Sequence, residues 1–356
     1  MAGQYHIGMD SEMSSLRGKL MIVYFCSMLA LSVLNICVNT IPNTLSANDS
    51  DMIFSLISQI VCMGAIPVVG TVLSKPRGKD SPLEYGVRLA RNWRLHAPTT
   101  PKVWLVIIPL VFSFYFTTQL LARIGSLVLL LGQFTFPIGA GQIYGDFGDL
   151  LKWIALGALL PGIFEELTHR GLLLDALADR GNEIESVVWC GLLFGAMHTN
   201  VMQFFFATVG GMIFAFVVLK TNSIYPAMLL HFCNNTFSHV QNYAEQHPTG
   251  AFRWIAEAEE FLTGSTVGLL VGAALLVGCF VLTAWLLAVL QKVCGKPEGL
   301  RERWIFRSAK SDQFALSLDA YRPYGKATLK DNLFMYGAFA MCLAMTAASY
   351  VWGVLR

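Results

Sequence analysis

Apolar residues recur in long uninterrupted stretches near 20–41, 52–73, 103–121, 150–170, 185–200, 201–219, 223–240, 264–290 and 333–355. A helix needs roughly 20 apolar residues to cross about 30 Å of hydrocarbon. The pattern therefore predicts an all-α fold, a polytopic transmembrane bundle of about eight to nine spans. Only Thr199 and Asn200 separate the fifth stretch from the sixth, which leaves one of those two open to being short or re-entrant. The first stretch is too long for a signal-peptide core and is followed by no small-residue cleavage site, so it is expected to stay as an anchor. No internal repeat or low-complexity tract interrupts the series.

Composition agrees. Of 356 residues, 55% are hydrophobic and 13% charged, with a mean hydropathy of +0.55; a soluble domain carries about 25% charge. The net charge of +2 supplies no basic field for nucleic acid. Seven of the eight cysteines lie in apolar stretches and Cys294 sits in a basic segment, so all are read as reduced, and none is spaced as a zinc ribbon or redox pair.

Charge placement predicts orientation. Arg17 and Lys19 precede the first span, and Lys75, Arg77, Lys79, Arg88, Arg91, Arg94 and Lys102 fall between spans two and three. Nine further lysines and arginines occupy 292–332, while 42–51 has none and 122–149 only Arg123. Positive charge marks cytoplasmic loops. The expected layout is a cytoplasmic segment 1–19, N-terminal spans over 20–149 with a basic inner loop 74–102, a core at 150–240, and C-terminal spans over 241–356 with a basic inner connector 292–332. The cell membrane is the expected location. Within the inner loop, 80–98 suits an amphipathic helix at the headgroups or a plain basic loop; 124–145, apolar then glycine-rich, suits a partial re-entrant hairpin or a packed loop.

Three polar clusters stand inside apolar stretches: Glu165-Glu166 with His169 and Arg170 in span four, Phe194 to His198 in span five, and His231 to Asn235 in span seven. A charge at mid-bilayer costs about 2.5–3.5 kcal/mol, so such groups are functional candidates. At 1.5 Å per residue, Glu165 lies about 15 Å from Asp175, taken as an inner-boundary residue, and His198 about 17 Å from Val187. His231 and Asn235 lie about 12 and 18 Å from Ser223, so all four reach similar depth. Glu166 and Arg170 are i,i+4 neighbours in the favourable order for an ion pair, while Glu165 is rotated about 100° away. His231 and Asn235 share a helix face. Singly, each motif has an ordinary structural reading as an ion pair, a buried histidine or interhelical glue. Their coincidence favours a catalytic site.

The ordered set Glu-Glu-x-x-x-Arg, Phe-x-x-x-His and His-x-x-x-Asn resembles the CAAX protease and bacteriocin-processing (Abi) family of intramembrane glutamic proteases, over roughly residues 150–240. The resemblance implies a helical membrane fold with a polar site open to the cytoplasm, and an endopeptidase acting on a membrane-associated or lipidated peptide or protein. It also agrees with the roles the chemistry suggests: Glu165 as general base, His198 assisting, His231 and Asn235 as oxyanion donors, and Glu166 and Arg170 in support. No cofactor is expected. Thr168-His169 departs from the family habit of an aromatic residue before the arginine; His169 could reach Glu165 or face the headgroups. A zinc site is disfavoured because no His-Glu-x-x-His spacing exists. A proton-coupled transporter and a non-catalytic immunity or scaffold protein remain the alternatives from other classes. Substrate identity and oligomeric state are not encoded in any motif.

Overall fold

The computed structural model describes residues 2–40, 46–75, 78–98, 100–135, 142–177, 183–294 and 329–355. Among them helices joined by turns and short loops make up the chain, with no strand. The helices are α1 (Ala2–Thr40), α2 (Asn48–Ser74), α3 (Pro82–Asn92), α4 (Val103–Leu131), α5 (Phe147–Leu177), α6 (Glu183–Met197), α7 (Val201–Thr221), α8 (Tyr225–Gln246), α9 (Arg253–Gly264), α10 (Thr266–Cys294) and α11 (Leu329–Val354).

Seven of these are long and apolar enough to cross a membrane: the segment Leu16–Thr40 of α1, then α2, α4, α5, α7, α10 and α11. The chain is an integral membrane protein. Of the nine expected spans, two do not meet that standard. Helix α6 has 15 residues, about 22 Å at 1.5 Å each, too short for the hydrocarbon. Helix α8 is long enough at 22 residues but is diluted by His231, Asn234, Asn235, His239, Gln241 and Asn242. These two helices bring in the site histidines, and polar side chains are tolerated at membrane depth where they face other protein.

Apolar side chains such as Leu105, Leu131, Leu270 and Trp285 point away from the bundle, as lipid-facing positions must. The core gathers Leu20 and Tyr24 of α1, Phe114 of α4, Leu172 of α5, Phe194 of α6, Phe214 of α7 and Leu230 of α8. Close helix approach depends on glycine. A Cβ on Gly195 would lie 2.7 Å from the Phe204 carbonyl oxygen, and one on Gly211 only 3.0 Å from Cα of Gly191, so α6 and α7 pack backbone to backbone. At the crossing of α5 and α8, a Cβ on Gly162 would meet the Phe232 backbone at 3.3 Å.

Other segments adjust the expectations. Of the two readings of 80–98, a helix or a plain basic loop, the structure has a helix at Pro82–Asn92, started by a capping box of Ser81 and Glu84. Its successor Trp93 is buried against Gly171, and the Arg94 carbonyl accepts from the Ile224 amide at 3.0 Å. No hairpin occupies 124–131. The apolar run Ile124–Leu131 simply prolongs α4 until Gly132 and the left-handed Gln133 (φ 62°) end it. Gly139 and Gly141 lie outside the described residues, as does connector segment 295–328. All eight cysteines are free thiols.

A charge read as a loop lysine and one read as a boundary acid are interior. Asp175 and Lys75 form an ion pair at 2.5 Å, with side-chain exposures of 1% and 2%. Arg17 is also buried and donates to Asn332 Oδ1 from Nε and Nη2, tying α1 to α11.

Candidate active site

Helix α5 carries the two acids, and its hydrogen-bond ladder is irregular where they sit. It widens into π-helical turns at Ala155–Leu159 and Leu167–Leu173, on either side of the Glu165-Glu166 pair; α2 widens in the same way at Ser58–Ala65. Such turns disturb the regular ladder and leave carbonyls for other donors. The side chains of neighbouring helices supply them. Thr168 Oγ1 donates to the Met63 carbonyl at 2.6 Å, Ser27 Oγ to that of Cys62, and Asn235 Nδ2 to that of Gly157 at 3.0 Å.

Glu166 is fully buried and its Oε1 has two partners, Arg170 Nη1 at 2.9 Å and His231 Nδ1 at 2.9 Å. The expected ion pair is present, but it also anchors a histidine from α8. Arg170 Nη2 donates to the Gly211 carbonyl at 3.0 Å. Its guanidinium lies over the rings of Phe194, at 4.4 Å, and Phe214, at 5.1 Å.

Glu165 faces differently, as its rotation on the helix predicts. Its Oε1 accepts from Gln59 Nε2 at 2.7 Å. Its Oε2 is buried with no hydrogen-bond partner among the described residues, and lies 3.9 Å from His231 Nε2. Glu165, His198, His231 and Asn235 all line one cavity of about 200 Å³. Glu166 and Arg170 stand behind its wall.

His198 occupies the turn just beyond α6. Its Nδ1 sits 2.8 Å from the Phe194 carbonyl and must donate to it, so Nε2 carries the lone pair. The next residue, Thr199, holds a left-handed φ of 50°, unfavourable for a β-branched side chain, and Asn35 Nδ2 donates to its Oγ1 at 2.9 Å. Asn200 then caps α7 by accepting from the Met202 amide. A strained, tied-down turn thus sets the position of His198.

Phe194 explains why an aromatic residue precedes His198 by one helical turn. Its ring is edge-on to those of His169, His198 and His231, with centroids 5.1, 5.2 and 5.6 Å away. Asn235 is oriented by Gly157 and by Asn234, whose Nδ2 donates to Asn235 Oδ1 at 3.3 Å. Asn234 Oδ1 in turn accepts from Thr118 Oγ1 at 2.9 Å.

His169 neither touches the Glu165 carboxylate nor faces the headgroups. It is buried, with Nδ1 3.0 Å from the Glu165 main-chain carbonyl and Nε2 3.2 Å from Tyr24 Oη. It packs as an aromatic ring while adding a polar tie to α1. The sequence pattern missed Gln59, whose only signal is a lone amide in the apolar run around it, and missed the bond between Glu166 and His231.

Residues 147–237, which contain all six of these motif side chains, match the family model described as Type II CAAX prenyl endopeptidase Rce1-like. That segment is similar to the Rce1-like family. Beside that match, 102 residues are 28% identical to "Putative membrane peptidase YdiL" of Bacillus subtilis (strain 168), covering 27% of this chain and 42% of that protein. No solved structure matches. Gln59, Ser55, Phe114 and Thr118 also line the cavity, so spans outside the Rce1-like core complete its walls. Among the described residues, no three His, Cys, Asp or Glu side chains converge as a cation site.

Proposed function

We propose that the protein is an intramembrane glutamic endopeptidase that hydrolyses a peptide bond in a membrane-associated or lipidated peptide or protein, without a metal. The observation that carries this reading is the free, buried Oε2 of Glu165 in a cavity shared with His198, His231 and Asn235.

Glu165 Oε2 takes a proton from water as the water oxygen bonds to the scissile carbonyl carbon, and the carbonyl π pair moves onto its oxygen. His198 assists through the lone pair on Nε2. Asn235 has one N–H on the Gly157 carbonyl and its Oδ1 on Asn234, which leaves its second N–H for the oxyanion. His231, with Nδ1 on Glu166, donates from Nε2 only as an imidazolium. That form balances the buried charges, with two carboxylates against one guanidinium and one imidazolium. Collapse of the tetrahedral intermediate breaks the C–N bond, and the proton held by Glu165 passes to the leaving amine. The spacing of the motifs suits proton transfer, since no His-Glu-x-x-His pair is present and one Glu165 oxygen is held by an amide.

The proposed setting is the cell membrane, with the N-terminus and the basic loops in the cytoplasm. A comparison of membrane peptides from cells carrying the wild type or Glu165→Ala tests the activity. Fragments lost in the variant identify the substrate and its cleaved bond; identical peptide profiles overturn the reading.

A further inference from the structure

Gln59 belongs to α2, outside the Rce1-like segment, and is 8% exposed. It sits in the π-helical turn Ser58–Ala65, and α2 packs there against the part of α5 that holds the acids. The 2.7 Å contact fixes the orientation of its amide: an ionised carboxylate only accepts, so the group facing Glu165 Oε1 is the NH2. The amide oxygen therefore points elsewhere. It is buried, has no hydrogen-bond partner among the described residues, and belongs to a side chain lining the cavity.

An attacking water has two hydrogens to place while its lone pair faces the carbonyl carbon. One goes to the base. The other needs an acceptor, and a buried acceptor with no partner destabilises the fold, so Gln59 Oε1 is costly unless a polar reactant meets it. We propose that Gln59 completes the water-activating set: its Nε2 holds Glu165 Oε1 so that Oε2 faces the cavity, and its Oε1 accepts from the second hydrogen of the attacking water. This assignment rests on the endopeptidase reading above.

The test uses the full-length protein in lipid vesicles and a synthetic fluorogenic peptide spanning a junction recovered in the membrane-peptide comparison. Gln59→Met keeps side-chain length but removes both polar atoms. It should lower kcat on the order of 10²-fold, with KM changed less than about twofold. Gln59→Glu adds a signature that space-filling cannot produce. While protonated, the introduced carboxyl donates to Glu165 as the amide does; once it ionises, two carboxylates face each other and the base is displaced. Its alkaline limb should lie at lower pH than that of the wild type, and this readout stands even if Gln59→Met fails to fold. Wild-type kcat in Gln59→Met, or an unchanged profile in Gln59→Glu, overturns the assignment. Measured in parallel, an inactive Glu165→Gln beside a fully active Gln59→Met rejects Gln59 alone, whereas an active Glu165→Gln rejects the endopeptidase reading and the role of Gln59 with it.

Discussion

Glu166 and His231, 65 residues apart on α5 and α8, meet through a 2.9 Å hydrogen bond between side chains only 0% and 6% exposed. The same carboxylate oxygen holds Arg170. Glu166 is thus the anchor of a site histidine as well as one half of an ion pair, and the two neighbouring acids divide their work: one holds Arg170 and His231 through Oε1 outside the cavity lining, the other presents a carboxylate to the cavity.

Glu165→Gln should abolish turnover and leave the protein folded. The new amide can turn its oxygen toward the Gln59 N–H, preserving the contact while removing the base. Turnover of the membrane peptide and the thermal unfolding midpoint measure the two halves; wild-type turnover would discard the assignment of the base.

Glu166→Gln should cost stability on the order of 3–5 kcal/mol, because it leaves a buried guanidinium without its counter-charge. Adding Arg170→Met deletes both charges and should restore part of that stability. Activity should stay low in the double variant, since His231 has still lost its carboxylate anchor. Full recovery of activity would show that the Glu166 contact to His231 is dispensable.

Hydrolysis should survive exhaustive chelation. The sequence has no His-Glu-x-x-His spacing, and among the described residues no three His, Cys, Asp or Glu side chains converge as a cation site. Loss of activity on chelation, restored by zinc, would assign the site to metal chemistry.

Gly195→Ala should destabilise the α6–α7 hairpin, since its methyl group falls 2.7 Å from a backbone oxygen that cannot yield locally. A loss of about 1–3 kcal/mol is expected from such overpacking. Chemical unfolding in detergent measures it, and an unchanged midpoint would mean that the two helices can part without penalty.

In a background lacking the eight native cysteines, Ala90→Cys on α3 should react with an impermeant thiol reagent only from the cytoplasmic side. The expectation follows from the lysine and arginine asymmetry. Labelling from outside in intact cells would invert the topology.

Much was legible along the chain because lipid imposes a one-dimensional rule. A backbone crossing hydrocarbon must be helical and apolar, so long apolar stretches announce their fold directly. Charged or polar residues inside them stand out for the same reason. Glu165, Glu166, Arg170, His198, His231 and Asn235 were all found that way, and the i,i+4 spacing of Glu166 and Arg170 identified their ion pair. Apolarity alone overstated α6, whose 15 residues end in the strained turn at Thr199 that positions His198.

Only the tertiary structure decided which groups meet between helices. Lys75 reads as a loop charge and Asp175 as a boundary acid until the packing of α2 on α5 pairs them out of water. Gln59 is one amide in an apolar run until the same packing sets it against Glu165. Helix periodicity determines the face on which a side chain emerges, whereas its partner depends on rotations, crossing points and widened turns that depend on every neighbour at once. The sequence by itself therefore determined the bundle and its polar residues; three-dimensional packing decided that Glu166 holds Arg170 and His231 while Glu165 lines the cavity.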